Sequence, residues 1–252
     1  MKNQYAIEAP FYDTVFDRTD DIPFYLQYAA KADGPLLECA CGTGRLLLPL
    51  ARAGYDVTGV DSSNEMLQVL RKKLRKENTA TRKRVHLVQG DMRRFQVPKR
   101  FGMALIGFNS FLHNLTIRDE KECAKRVAEH LQPGGRFIID IFNPDLARPQ
   151  QIARLDKMKP FGKQTLLRFS SQDMNFKHQT MNCRDVYDFV NASGIIKRKL
   201  VEYQLRYIFK DELMALLKRC GFQIEAVLGS VGGEPFEDKS DLILCVATKN
   251  LP

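Results

Sequence analysis

The sequence predicts a doubly wound α/β fold built on a mostly parallel sheet. Between Pro35 and Phe142, short apolar runs alternate with helical patterns. This alternation is typical of parallel strands whose connecting helices cover both faces of the sheet. A glycine-rich turn follows the first apolar run. In such folds the ligand crevice lies at the carboxyl ends of the strands, where turns of this kind occur.

Five strands and three helices are expected in this region. The strands are the apolar runs 36–40, 57–60, 85–88, 103–108 and 136–142. The helices are expected at 46–53, from Ser62 onward, and from about 119 to 131. Ser62 and Glu65 have the spacing of a capping box at the start of the second helix. Pro133, Gly134 and Gly135 end the third.

The pattern changes in the second half of the chain. Three runs, 165–174, 181–190 and 196–208, alternate polar and apolar residues, which indicates antiparallel strands with one face exposed to water. We interpret residues 164–209 as an antiparallel insertion after the fifth strand that covers the substrate. A helix at 211–220 and strands at 222–228 and 242–248 complete the chain.

The composition fits one folded domain over residues 1–252. Hydrophobic residues make up 44% and charged residues 27%, which argues against disorder. No apolar run approaches the ~20 residues of a membrane span, and residues 1–10 lack the apolar core of a secretory signal. The six cysteines are scattered, without the spacing of a zinc site. We therefore expect a cytoplasmic protein with reduced thiols, no metal and no membrane partner.

The segment from Glu38 to Arg45, Glu-Cys-Ala-Cys-Gly-Thr-Gly-Arg, carries the strongest functional signal. Its glycines let the backbone turn sharply and approach a ligand closely. A dinucleotide site would require a third glycine where the chain has Leu47. Pyrophosphate would also be repelled by Glu38, whereas a cationic nucleoside would be attracted. S-adenosylmethionine (SAM) has that charge, and Asp61, at the end of the next strand, is placed to accept its ribose hydroxyls.

These segments resemble the motifs of class I SAM-dependent methyltransferases. The first two motifs correspond to residues 38–45 and 54–67, the third to Gln89–Met92 and the turn before the fifth strand to 131–136. The resemblance implies a Rossmann-like, seven-stranded sheet that ends in a reversed hairpin, with a SAM-binding core at 34–145. Ala40 departs from the pattern, because many members have glycine there. We expect its small side chain to be tolerated.

The resemblance also implies roles for individual residues. Glu38 and the backbone of Ala40, Gly42 and Gly44 would surround the methionine part of SAM. Asp61 would bind the ribose, with Ser62 and Met66 nearby. Asp91 would accept the adenine amino group beside Met92. Phe108 and Asn109 would line the methyl-transfer channel, and Tyr12 would close over the ligand. Two further segments, 17–25 and 90–95, resemble a bacterial subgroup of the family without an assigned substrate.

The residues that would contact the methyl acceptor are predicted from less specific signals. Methyl transfer from a sulfonium is an in-line displacement that depends largely on positioning, although a hydroxyl acceptor often needs a general base. His113 is the best-placed titratable base and the candidate catalytic residue. Asn109 and His113 are candidate substrate contacts near the sheet edge. Arg206 and His178 are expected in the inserted strands, where Arg206 binds an acidic substrate or pairs with a sheet carboxylate.

The basic surplus of the chain is local. Residues 71–84 hold eight basic residues and one acidic residue, +7 of the total of +9. The run lacks the aromatic residues that stack unpaired bases, so a solvated helix face is favoured over a nucleic-acid surface. The sequence therefore predicts a SAM-dependent methyltransferase acting on a small molecule. The alternatives are an RNA or protein methyltransferase that uses this run, and a SAM-binding regulator without turnover.

Overall fold

A computed structural model describes residues 4–147 and 152–251. The helices are α1 (Gln4–Glu8), α2 (Tyr12–Val15), α3 (Ile22–Ala29), α4 (Leu47–Arg52), α5 (Asn64–Leu74), α6 (Thr79–Lys83), α7 (Ile117–His130) and α8 (Lys210–Arg219), with a 3₁₀ helix at Ser110–His113. The strands are β1 (Leu36–Cys39), β2 (Val57–Asp61), β3 (Val85–Gln89), β4 (Phe101–Ile106), β5 (Leu131–Phe142), β6 (Arg154–Phe161), β7 (Gln164–Asn175), β8 (Thr180–Val190), β9 (Ile196–Arg206), β10 (Phe222–Leu228) and β11 (Leu242–Lys249).

The larger of two compact units, residues 19–144 and 208–252, contains a seven-stranded sheet. Its strand order is β10-β11-β5-β4-β1-β2-β3. The pairs among β1 to β5 are parallel, and β11 runs antiparallel to both β5 and β10. Strands β1, β2 and β4 are buried along their whole length, which explains why they read as continuous apolar runs. The doubly wound sheet and its reversed last strand are confirmed.

The smaller unit, residues 1–18 and 145–207, is built on an antiparallel sheet with the order β6-β7-β8-β9. One face of the sheet packs against the segment that contains α1 and α2. The ring of Phe11 lies 4.8 Å from that of Tyr187 and 5.2 Å from that of Phe189, measured between centroids. Polar and apolar residues alternate because only this face is covered.

Several predicted details were wrong. The inserted sheet has four strands rather than three, because the edge strand β6 begins at Arg154 in a sequence without regular alternation. Helix α5 is capped by Ser63, whose Oγ accepts from the Met66 N–H at 3.3 Å, whereas Ser62 is exposed. Strand β4 ends at Ile106, so Phe108 lies in a turn. His178 is also in a turn, between β7 and β8, and not in a strand.

Three N-terminal helices and the short helix α6 were not predicted. The N-terminal helices have four to eight residues, too few for a clear period in the sequence. Among the described residues, no helix combines the length and the apolar character that a membrane crossing requires.

Candidate functional site

The glycine loop between β1 and α4 adopts left-handed backbone conformations at three positions. The φ angles are +56° at Ala40, +52° at Gly42 and +84° at Gly44. A Cβ added to Gly44 would lie 2.4 Å from Cδ1 of Leu70, so any larger residue there would require the Leu70 side chain to move. A Cβ on Gly42 would meet no atom within 4 Å. The loop therefore packs on α5 at Gly44 and faces open space at Gly42.

Asp61 connects the end of β2 to this loop. Its Oδ2 accepts a hydrogen bond from the Gly42 N–H at 2.7 Å, and its Oδ1 accepts one from the Ser63 N–H at 2.8 Å. The side chain is buried, and burial raises the pKa of its carboxyl although both hydrogen bonds act in the opposite direction. Each carboxylate oxygen keeps a second acceptor position, so Asp61 is fixed in place and still able to accept from a ligand.

Glu38, on β1, is buried and lacks one hydrogen bond. Its Oε2 is inaccessible and has no hydrogen-bond partner among the described residues. Burial raises the pKa of its carboxyl to about 8, against the opposing effect of Arg45. An unsatisfied buried oxygen is costly unless a donor reaches it. The ammonium of SAM would be such a donor, so the residues present fit that cofactor.

A cavity of about 150 Å³ lies at the carboxyl edge of the sheet. Its walls contain predicted site residues from four separate segments of the chain. The lining residues are Ala40, Asp61, Ser62, Gly90, Asp91, Met92, Arg93, His113 and Asn114. Gly90, Arg93 and Asn114 were not predicted as site residues. Its volume suits part of a nucleoside.

Asp91 is engaged in an ion pair that the sequence did not indicate. Arg93 Nη2 lies 2.5 Å from Asp91 Oδ2, and the Arg93 backbone N–H donates to Asp91 Oδ1 at 2.8 Å. Arg93 Nη1 also bonds Asp119, on α7. The hydrogen bonds that Asp91 accepts from Arg93 lower the pKa of the Asp91 carboxyl, although partial burial acts in the opposite direction. The carboxylate is therefore ionised and oriented, and its contact with adenine stays a prediction.

His113 lines the same cavity, at the end of the 3₁₀ helix. Burial lowers the pKa of its imidazole to about 4, so the ring is uncharged at neutral pH. A general base is most effective when its pKa is close to the working pH. The position beside Asp91 and Met92 makes His113 part of the cavity wall, and its predicted role as a base is not tested by this geometry.

The turn after β4 contains two consecutive non-glycine residues with left-handed backbone, Phe108 at φ +53° and Asn109 at φ +64°. Such strain persists only where neighbours enforce it. Asp140 Oδ2 accepts from the Phe108 N–H at 3.3 Å, and Asn109 Oδ1 accepts from the Phe142 N–H at 2.6 Å. The end of β5 therefore holds both residues in place, and their predicted channel and substrate contacts stay predictions.

The remaining predicted residues are not among those that line the cavity. Met66 is buried in α5. Tyr12 and Arg206 belong to the smaller unit. The ring of Tyr12 lies 4.6 Å from that of Phe16, and buried Arg206 donates from Nη2 to Gln179 Oε1 at 3.2 Å. The ligand roles given to these three residues stay predictions.

Comparisons with known proteins address the family directly. A model of the methyltransferase domain family matches residues 36–135. The cypemycin N-terminal methyltransferase of a Streptomyces species is 25% identical over 212 residues, which cover 84% of this chain and 81% of that protein. The dTDP-3-amino-3,4,6-trideoxy-α-D-glucopyranose N,N-dimethyltransferase of Streptomyces venezuelae is 34% identical over 105 residues, 42% of this chain and 41% of that protein.

One similar solved structure contains bound SAM. The glycopeptide N-methyltransferase MtfA complexed with SAM is 26% identical, with a TM-score of 0.60 over 91% of this chain and 93% of that one. Residues 36–135 belong to the methyltransferase domain family, and the chain is a SAM-dependent methyltransferase. SAM is the cofactor of this methyltransferase, and its sheet has the Rossmann-like topology that the motif resemblance implied.

Proposed function

We propose that this methyltransferase acts on an amine of a small molecule, and that Glu38, Asp61 and the glycine loop bind the cofactor. SAM, when bound, supplies an electrophilic methyl group. The observation that carries the cofactor site is the unpartnered, buried Glu38 oxygen beside a loop that Asp61 holds in shape. Asp91, Met92 and His113 then form the walls for the nucleoside.

The choice of an amine acceptor is supported by chemistry and by the relatives. Of the three relatives described above, two are named as methyltransferases that act at nitrogen and the third as an N-terminal methyltransferase. A neutral amine is already a nucleophile, so the enzyme's main tasks are to position it and to exclude water. An uncharged His113 suits that arrangement better than a reaction that depends on a strong base.

The basic run at 71–84 gives the alternative of an RNA or protein substrate little support. Lys73 Nζ donates to the carbonyl of Thr43 at 2.9 Å, and Arg84 Nε donates to the carbonyl of Gly54 at 2.9 Å. Glu77 is paired with Arg52. Part of the run therefore stabilises the fold of the larger unit, which contains the glycine loop. We also propose a cytoplasmic location, which the six free, buried cysteines support.

A transfer assay with methyl-labelled SAM tests this function. The acceptors are an amino sugar nucleotide, its hydroxyl analogue, a peptide with a free N-terminus, and RNA. We expect label in the amino sugar and none in the hydroxyl analogue. Preferential labelling of RNA, the peptide or the hydroxyl analogue would overturn the proposed acceptor. Tight SAM binding without transfer to any metabolite extract would instead indicate a regulator.

A further inference from the structure

An apolar row crosses the outer face of the antiparallel sheet in the smaller unit. The register places one residue of each strand, β6 to β9, next to its neighbour: Leu155, Phe169, Val186 and Leu200. Leu155 is 51% exposed and Leu200 is 49% exposed. Successive residues of a strand point to opposite faces, so this row lies on the face opposite Tyr187, which contacts Phe11. An exposed apolar patch with a polar rim marks an interaction surface.

Charged residues of both signs flank this row on β8 and β9. Arg198 precedes Leu200 by two residues and Glu202 follows it by two, so all three side chains lie on the outer face. Arg198 pairs with Asp188 at 2.7 Å, and Glu202 pairs with Arg184 at 2.7 Å. Each side of the row therefore carries one cation and one anion on these two strands. This balance favours a protein partner over an anionic membrane or a nucleic acid.

The order of these charges fits a second copy of the same chain. A two-fold axis along the apolar row exchanges the two sides of the row when two outer faces meet. Arg198 of one copy then faces Glu202 of the second copy, and Leu200 faces its own counterpart. Asp188 and Arg184, which flank Val186 on β8, exchange in the same way and also have opposite signs. A two-fold interface uses the same patch on both copies, so this patch is complementary to itself.

The outer face is large enough for a specific contact. Its four strands have 8 to 12 residues each. With about 4.8 Å between strands and about 3.3 Å per residue, the face covers roughly 600 Å². Two copies that meet over this face bury on the order of 1,200 Å², the lower end of the range for specific interfaces. Two sheets commonly pack face to face with their strands nearly aligned.

We propose that two copies of this chain associate through the outer face of the antiparallel sheet. The apolar row lies at the centre of the interface. Reciprocal ion pairs between Arg198 of one copy and Glu202 of the other lie on either side of it. The proposal goes beyond the proposed function and is independent of the cofactor and of the methyl acceptor, because it needs neither to bind.

Sedimentation velocity of the full chain, at about 1 to about 200 μM, tests the association. We expect the wild type to reach twice the chain mass as its concentration rises. Leu200→Asp should weaken the association at least about 10-fold, because it places a charge at the apolar centre. Ile117→Asp is the matched control, since Ile117 is 64% exposed on α7 of the larger unit. It should associate like the wild type. A wild type that stays monomeric, or a folded Leu200→Asp that associates equally well, would overturn the proposal.

A mixing experiment tests the symmetry of the interface. Arg198→Glu alone places two acids opposite each other, and Glu202→Arg alone places two cations opposite each other. Each variant should therefore be mainly monomeric at concentrations where the wild type is dimeric. An equimolar mixture of the two should dimerise, because each changed residue then faces its opposite charge. Circular dichroism should show that both variants are folded. Folded variants whose mixture stays monomeric would rule out this pairing.

Discussion

The carboxylate of Asp61 accepts a hydrogen bond from the backbone N–H of Gly42 at 2.7 Å. The two residues are 19 positions apart in the sequence, at the end of β2 and in the glycine loop. Because both lie at the same edge of a parallel sheet, one hydrogen bond fixes the loop relative to the strand that carries Asp61, the acid proposed to bind the ribose. The loop conformation and the acid are therefore parts of one site.

The packing of Gly44 predicts a difference between two glycine substitutions. Gly44→Ala combines left-handed strain with a Cβ 2.4 Å from Leu70, whereas Gly42→Ala adds strain in open space. We expect Gly42→Ala to lower the free energy of unfolding by about 1 kcal/mol and Gly44→Ala to lower it by at least ~1 kcal/mol more. Urea unfolding measures both. Equal costs would show that Leu70 gives way without penalty.

The raised pKa of the Glu38 carboxyl predicts that cofactor binding depends on pH. Burial raises the pKa of its carboxyl to about 8, so the carboxyl is mostly protonated at pH 7. Pairing with an ammonium requires the ionised form, so binding of S-adenosylhomocysteine should release about one proton at pH 7, and its affinity should rise with pH up to about 8. Calorimetry in buffers of different ionisation enthalpy measures the release. Glu38→Gln should abolish it, and an unchanged release in that variant would contradict this assignment.

Glu8 predicts a pH dependence of stability in the smaller unit. Burial raises the pKa of its carboxyl from 4.5 to about 7, although the Tyr187 hydroxyl donates to it at 2.6 Å. The folded protein then holds the proton more tightly than the unfolded chain. Its stabilising contribution is complete below pH 4.5 and is lost as the pH rises through 7.

Thermal unfolding at several pH values between 5 and 8 tests this assignment. We expect Glu8→Gln to reduce the loss of stability across this range by about 1–3 kcal/mol, because the amide cannot ionise. Glu202→Gln is the control, since Glu202 is an exposed residue of the same sheet paired with Arg184. Parallel pH profiles for the wild type and Glu8→Gln would exclude Glu8 as the source.

His113 has two interpretations that one substitution separates. If His113 is only part of the cavity wall, His113→Ala should weaken the binding of S-adenosylhomocysteine several-fold. It should leave the pH profile of turnover unchanged between pH 6 and 8, because a pKa of about 4 lies below this range. If His113 is the base predicted from the sequence, the same substitution should lower turnover and leave the affinity for the cofactor unchanged. Calorimetry together with steady-state kinetics distinguishes the two. The wall interpretation fails if only turnover changes.

Much of the candidate cofactor site could be predicted from the sequence, because the motifs that indicate it are short and local. Asp61 stands at the end of β2 and Glu38 near the end of β1, and parallel topology brings strand ends to one edge. The pairing of Asp21 with Arg45, and of Arg93 with Asp119, joins residues more than twenty positions apart. Such contacts depend on how the elements pack, and no spacing in the sequence encodes them.

Other features were missed for different physical reasons. Ser62 and Ser63 are adjacent, and only the backbone angles decide which one caps α5. The two left-handed positions after β4, Phe108 and Asn109, are not glycines, and they are held by contacts with Asp140 and Phe142 that the sequence does not indicate. Strand β6 is an edge strand with mostly exposed residues, so it lacks the alternation that a half-buried strand shows.

Calorimetric titration of SAM into the wild type and Asp61→Ala tests the central claim most directly. We predict one binding site in the wild type and a loss of affinity of at least about 100-fold in the variant, because the ribose contact and the bond to Gly42 are removed together. Circular dichroism should show that the variant stays folded. Unchanged affinity in a folded Asp61→Ala protein would contradict the account.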